Sequence, residues 1–255
     1  MRRNYTPGVR NSASRDGAQT SEFGRDRTKI SAGRAIIVEL DGLSCALGVP
    51  QAPANSLPKR AFDIAGAIFL LLFLAPLLGL LAIAVFWDCG PVLSGHRRVG
   101  AGGRLFTCWK FRSMVVDAEA ALARTLAVYP QALLDWERDY KLRSDPRVTP
   151  LGRFLRSSSL DELPQLFSVI IGDMSLIGPR PIAVGEIRRY GAAFRDYATC
   201  RPGITGLSQV SGRNATSYDA RIAIDSQYAR SWSFRGDLVI LFRTVGVVLR
   251  RRGDQ

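Results

Sequence analysis

The longest apolar run in the chain extends from Ile64 to Trp87 without a single charged residue. As a helix rising about 1.5 Å per residue it would measure about 36 Å, more than the ~30 Å hydrocarbon core of a bilayer. The pattern predicts a membrane helix. A secretory h-region is shorter and lies nearer the start of a chain. Pro76 stands at the middle of the run, where it removes the hydrogen bond to the Leu72 carbonyl and bends a helix. Basic residues flank both ends: Lys59 and Arg60 before it, Arg97, Arg98, Arg104, Lys110 and Arg112 after it. A crossing helix would export one of these clusters against the positive-inside tendency, whereas a helix that enters and turns back keeps both on the cytoplasmic side. Each arm of such a re-entrant hairpin would be roughly 18 Å long, so the bend would lie near mid-bilayer. A spanning helix that tolerates its proline is the alternative.

The pattern divides the rest of the chain. Residues 1–57 mix Arg, Ser, Gly, Asn and Pro with little periodicity and read as a flexible basic tail, although AIIVEL (35–40) has the composition of a short strand. Residues 58–88 form the membrane segment, and 89–255 a cytoplasmic domain. In the latter, 91–114 holds two short apolar runs around a glycine-rich turn, which predicts a small β-hairpin. Asp117 to Tyr140 predicts two helices broken at Pro130, and LDELPQLFSVIIGD (160–173) predicts a short amphipathic helix closed by Gly172. Val184–Asp196 and Tyr218–Arg230 predict further helices, and Gly236–Arg252 a last amphipathic one whose arginine-rich end suits an anionic lipid surface. The expected fold is α+β and helix-rich: a monotopic membrane protein with an N-terminal re-entrant helix, one small hairpin and amphipathic surface helices.

Composition narrows the partners. The 255 residues carry 35 Lys and Arg against 22 Asp and Glu, a formal charge of +13 that favours phosphate-bearing ligands. With 47% apolar residues the chain can build a core. One histidine, His96, excludes a His-rich zinc site. Cys45, Cys89, Cys108 and Cys200 are too far apart for a CxxC pair or a dense disulfide framework, so reduced thiols are expected.

Candidate chemistry concentrates in three polar blocks. In RFLRSSSLDELPQ (153–165), Pro164 belongs to the first turn of a helix, which makes Asp161 a plausible N-cap, or Ser159 and Glu162 a capping box. Helix starts also bind phosphate, and Arg153 and Arg156 would keep a carboxylate there ionised. GDMSLIGPRP (172–181) fixes Arg180 in a rigid turn, as bidentate phosphate recognition requires, and RPGITGLSQVSGR (201–213) does the same around Arg201, Gln209 and Arg213. No P-loop is present, and GAGGR (100–104) is not followed by the helix a dinucleotide site needs.

The blocks KRAFDIAGA, GPV with RRVG and KFRSM, DPRVTPLGRFLRSSSLDELPQLF, GDMSLIGPRP, RPGITGL with QVSGR, and a terminal stretch with Y, WS and DL together resemble the bacterial sugar transferase family. These are monotopic polyprenyl-phosphate phosphoglycosyl transferases that start exopolysaccharide and capsule assembly. The resemblance runs from about Lys59 to Arg250 and leaves the tail outside. It implies transfer of hexose 1-phosphate from a UDP-sugar to undecaprenyl phosphate, with magnesium and release of UMP, on the cytoplasmic face of the bacterial inner membrane. It also implies Asp161 as the covalent nucleophile and Glu162 as a magnesium ligand, chemistry that a carboxylate and a hard cation can perform. Arg156, Arg180 and Gln209 would line the phosphate site, with Asp225 near it. Lys59, Arg60 and Asp63 would set the start of the re-entrant helix at the headgroups, and Pro76 its bend. Glycosyltransferases acting on the lipid-linked product would be downstream partners.

Two positions depart from the family pattern. Ala75 precedes Pro76 where Ser is common, and Ser208 replaces a more usual Trp. His96 falls in the hairpin block and has no part in the implied mechanism. The competing class, a membrane-tethered nucleic-acid binder or scaffold, rests on charge alone, because no RRM, helix-turn-helix or zinc signature is present. Nothing in the sequence separates glucose, galactose or an N-acetyl sugar.

Overall fold

The computed structural model describes residues 53–87, 90–129, 131, 133–134, 136, 142, 145–211 and 217–250. The AIIVEL segment, Cys45, Cys89, Arg213 and most of the second helix expected after Pro130 lie outside the described residues. The apolar run forms one helix, α1 (Leu57–Phe86), with a proline in its first turn, where the missing N–H is harmless. Pro76 lies inside it, and the helix continues through the proline. Its length and composition suffice to cross a membrane.

The expected hairpin is present as β1 (Leu93–Val99) and β2 (Leu105–Phe111), antiparallel, with Leu93 opposite Phe111 and Val99 opposite Leu105. Its turn uses Gly102 and Gly103, both at positive φ, where side chains are disfavoured. Then follow α2 (Ala118–Val128), α3 (Pro150–Ser158) and α4 (Gln165–Ile171). Thr149 caps α3 by accepting from the Gly152 N–H at 2.9 Å, and Gly172 closes α4 as expected, at φ 111°. The helix expected over 184–196 is instead two short ones, α5 (Ile187–Tyr190) and α6 (Phe194–Ala198), separated at Gly191 (φ 51°). Three more follow among the described residues: α7 (Leu207–Val210), α8 (Tyr218–Arg230, with the expected bounds) and α9 (Phe234–Arg250).

A second sheet was not expected from the sequence. β3 (Ser175–Ile177) and β4 (Gly203–Thr205) pair in parallel, joining the two segments read as rigid turns. Their glycines permit close backbone approach: a Cβ on Gly203 would lie 2.1 Å from the Gly178 nitrogen, and one on Gly206 2.0 Å from the Gly178 carbonyl oxygen.

The core sits between α1 and this scaffold. On its N-terminal half, Ala67, Leu70 and Leu71 pack with Leu166, Val169 and Leu176. On its C-terminal half, Leu77, Leu81 and Val85 pack with Phe111, Leu151 and Leu155. Arg112 donates to the Val85 carbonyl at 3.0 Å, tying the end of α1 to the residue after β2. The opposite side of α1 exposes Phe69, Leu72, Phe73, Leu80, Ile83 and Phe86.

Candidate active site

Asp161 and Glu162 do not begin a regular helix. They belong to a 3-10 turn, Leu160–Glu162, and neither the Asp161 N-cap nor the Ser159 capping box forms. The turn is launched by Ser159 at φ 59°, the one non-glycine residue with positive φ among the described residues. Such a conformation costs free energy and clusters at functional sites. It presents the Asp161 carboxylate, 7% exposed, against β2.

The cation that meets the pair is Lys110. Its Nζ lies 2.7 Å from Glu162 Oε1 and 3.9 Å from Asp161 Oδ2. Burial pushes the Asp161 carboxyl above its ordinary range and the Glu162 charge adds to this, while Lys110 and Arg156 oppose it. Arg156 sits close enough to act on Asp161 and is oriented by Ser113, whose hydroxyl accepts from Arg156 Nε at 2.8 Å. Arg153 is exposed and makes no such contact among the described residues. Lys110 was read from the sequence only as a flanking charge. Its position in the KFRSM block was the available signal.

Asp225 forms a second centre. It is buried on α8 and accepts from the Tyr190 hydroxyl at 2.9 Å. Burial raises its carboxyl, opposed by the Ser208 and Tyr190 hydroxyls and by Arg221 and Arg180. Arg180 is exposed beside it. Gln209 is buried, with Nε2 donating to the Ile204 carbonyl at 3.3 Å and Oε1 unpartnered. The two centres are linked along the hairpin: Arg98 lies 3.7 Å from Glu186, and Glu186 accepts from Arg221 and Tyr218, each at 3.0 Å. Burial alone would raise the Glu186 carboxyl, but the Ala183 N–H, Arg221 and Tyr218 outweigh it and hold it low.

The residues expected at the headgroups have partners within the domain. Lys59 and Asp63 are buried, 2.8 Å apart, and Lys59 also meets Asp237 of α9 at 3.0 Å. Arg60 donates to the Val169 and Ile170 carbonyls at 2.6 and 3.0 Å, satisfying the end of α4. Arg201, from the rigid turn of the third polar block, donates to the Gly172 carbonyl and to Asn55. These arginines hold the scaffold together. Pro76 is exposed on α1.

Residues 54–251 match the family described as Bacterial sugar transferase. The chain is 51% identical over 195 residues to the undecaprenyl-phosphate galactose phosphotransferase of Salmonella typhimurium, covering 76% of this chain and 41% of that protein. It is 45% identical over 203 residues to the exopolysaccharide production protein ExoY of Rhizobium meliloti, covering 79% and 90%. It is 39% identical over 205 residues to the UDP-glucose:undecaprenyl-phosphate glucose-1-phosphate transferase of Escherichia coli, covering 77% and 41%. The chain thus spans about two-fifths of the Salmonella and Escherichia relatives and most of the Rhizobium one.

Proposed function

Because the chain belongs to the bacterial sugar transferase family, we propose that it moves a hexose 1-phosphate from a UDP-sugar to undecaprenyl phosphate, releasing UMP, as the first membrane step of exopolysaccharide or capsule synthesis. The observation that carries this reading is a partly buried carboxylate pair closed by one ammonium. A desolvated carboxylate next to cations is suited to attack an anionic phosphorus centre. An Asp161 oxygen attacks the β-phosphorus of the UDP-sugar, the bond to the bridging oxygen breaks, and UMP leaves with that oxygen. A phosphate oxygen of the lipid then attacks the same phosphorus. The bond to Asp161 breaks, the carboxylate is restored, and the product is undecaprenyl diphosphate sugar. Lys110 and Arg156 hold the negative charges that meet in both steps.

The donor set suits magnesium. Glu162, with Asp161 beside it, offers hard oxygen ligands, and magnesium is ordinarily held by one or two carboxylates while phosphates and water complete its shell. When bound, the ion would offset phosphate charge. Among the described residues no cluster of three or more ligating side chains occurs.

A re-entrant path for α1 is supported by its packing. Both Lys59 near its start and Val85 near its end are buried in the same domain. A helix crossing the bilayer would carry one end away from that domain. The exposed Val239, Phe242 and Val245 of α9, with Arg235 and Arg243 on the same helix, suit the surface of an anionic cytoplasmic leaflet.

The test is a half-reaction. Purified protein in nanodiscs without acceptor should release about one equivalent of UMP per enzyme from the correct UDP-sugar, and Asp161→Asn should release none. Strict dependence of UMP release on added undecaprenyl phosphate would overturn the covalent course.

A further inference from the structure

We propose that His96 is a specificity-determining residue that hydrogen-bonds a hydroxyl of the transferred hexose; the proposal rests on the UDP-sugar reading above. The β1–β2 register puts Ser94, His96 and Arg98 on the same face of the hairpin as Phe106, Cys108 and Lys110, because directly opposed residues share a face and side chains alternate along a strand. Both ends of that face engage the site. At one end Lys110 reaches Glu162 at 2.7 Å, and at the other Arg98 lies 3.7 Å from Glu186. His96 stands between them, diagonal to Lys110 at a spacing of about 7–8 Å in an antiparallel pair. A group there lies next to the place where Lys110 would hold the donor's phosphates, about one sugar ring away.

The imidazole is available. His96 is exposed and makes no hydrogen bond to the described residues, whereas Cys108, opposite it on the same face, is buried. The groups facing it come from three elements: Arg98 on β1, Lys110 on β2 and Arg156 on α3. Burial and these three cations lower its pKa from an ordinary 6.5, so the ring is predominantly neutral at pH 7. A neutral imidazole offers one donor and one acceptor, as a sugar hydroxyl does, and adds no charge for phosphate. Two of the cations around it, Lys110 and Arg156, are those the proposed reaction assigns to the phosphates. The hairpin therefore divides the donor between charged and neutral contacts.

The experiment compares wild type, His96→Ala and His96→Gln in nanodiscs by UMP release from UDP-glucose, UDP-galactose and their N-acetyl counterparts, with inhibition by UDP measured in parallel. The thermal midpoint serves as the folding control. Losing a neutral hydrogen bond should lower kcat/KM for the preferred sugar roughly 5- to 10-fold in His96→Ala and shrink its advantage over the C4 epimer by a similar factor. Inhibition by UDP, which has no hexose, should change less than about twofold. His96→Gln, which keeps a donor and an acceptor, should retain part of the preference. Equal loss for every sugar, or UDP inhibition weakening in step with turnover, overturns the proposal in favour of a phosphate or purely structural role. A wild-type protein that releases UMP from none of these donors refutes the transferase reading itself.

Discussion

Replacing Lys59 by Met removes the one ammonium that, among the described residues, contacts two buried carboxylates. Asp63 and Asp237 are 2% and 0% exposed, and Lys59 lies 2.8 and 3.0 Å from them. Breaking a buried ion pair by deleting one partner costs about 3–5 kcal/mol, because the remaining charge cannot return to water. Here each carboxylate keeps two other donors. Asp63 accepts from the Ser175 hydroxyl at 2.7 Å and the Leu176 N–H at 3.2 Å, and Asp237 from the Tyr228 hydroxyl at 2.9 Å and Trp232 Nε1 at 3.0 Å. The loss should therefore fall at the lower end, about 3 kcal/mol. For a domain of this size each kcal/mol moves the midpoint by about 2–4 °C, so the expected fall is roughly 6–12 °C.

Asp237→Asn should cost much less. It leaves a balanced Lys59–Asp63 pair, the amide oxygen can still accept from Trp232, and the Tyr228 hydroxyl retains the Ile177 carbonyl at 3.0 Å as an acceptor. Thermal unfolding in nanodiscs, followed by tryptophan fluorescence with Trp232 as a reporter in the network, measures both variants. A Lys59→Met shift under about 2 °C, or an Asp237→Asn shift as large, would refute the idea that this ammonium holds α1, β3 and α9 together.

Lys110→Met should cut turnover and move the acid limb of the kcat/KM profile to higher pH, because the ammonium opposes the upward shift of the Asp161 carboxyl and the nucleophile must be ionised; a uniform loss at all pH values would argue against this role. Deleting residues 1–52 should leave UMP release intact, whereas deleting 1–57 should destabilise the protein, since Ala54 is in the core and Asn55 donates to the Thr199 carbonyl at 2.6 Å. Equal midpoints for the two truncations would contradict this. Gly152→Ala should lower stability by more than about 1 kcal/mol, because its Cβ would lie 2.0 Å from the Ser113 carbonyl oxygen in a well-packed site, and calorimetry would show it. For topology, single-cysteine variants retaining Cys45 or Cys89 should both resist a membrane-impermeant maleimide on intact cells and label after permeabilisation; outside labelling of Cys45 would indicate a spanning helix.

What the sequence revealed and what it hid follow from the range of each interaction. The bounds of α8, the hairpin and the closure of α4 at Gly172 were legible because they depend on local periodicity and on glycine at a turn. The β3–β4 sheet was not, since strands of three residues carry no measurable alternation and their pairing joins segments distant in the chain. Charge gave the least reliable guidance. Lys59, Asp63, Arg60 and Arg201 have the composition of a headgroup or phosphate surface, yet their partners, Asp237, Ser175, the α4 carbonyls and Asn55, become neighbours only when α1 packs on the domain. Lys110 is the converse case. It was read as one of several flanking cations until the hairpin carried it to Glu162, 52 residues later in the chain. A basic residue in such a sequence can thus serve the lipid, the substrate or the core, and its distance to a carboxylate or carbonyl in the folded domain decides which.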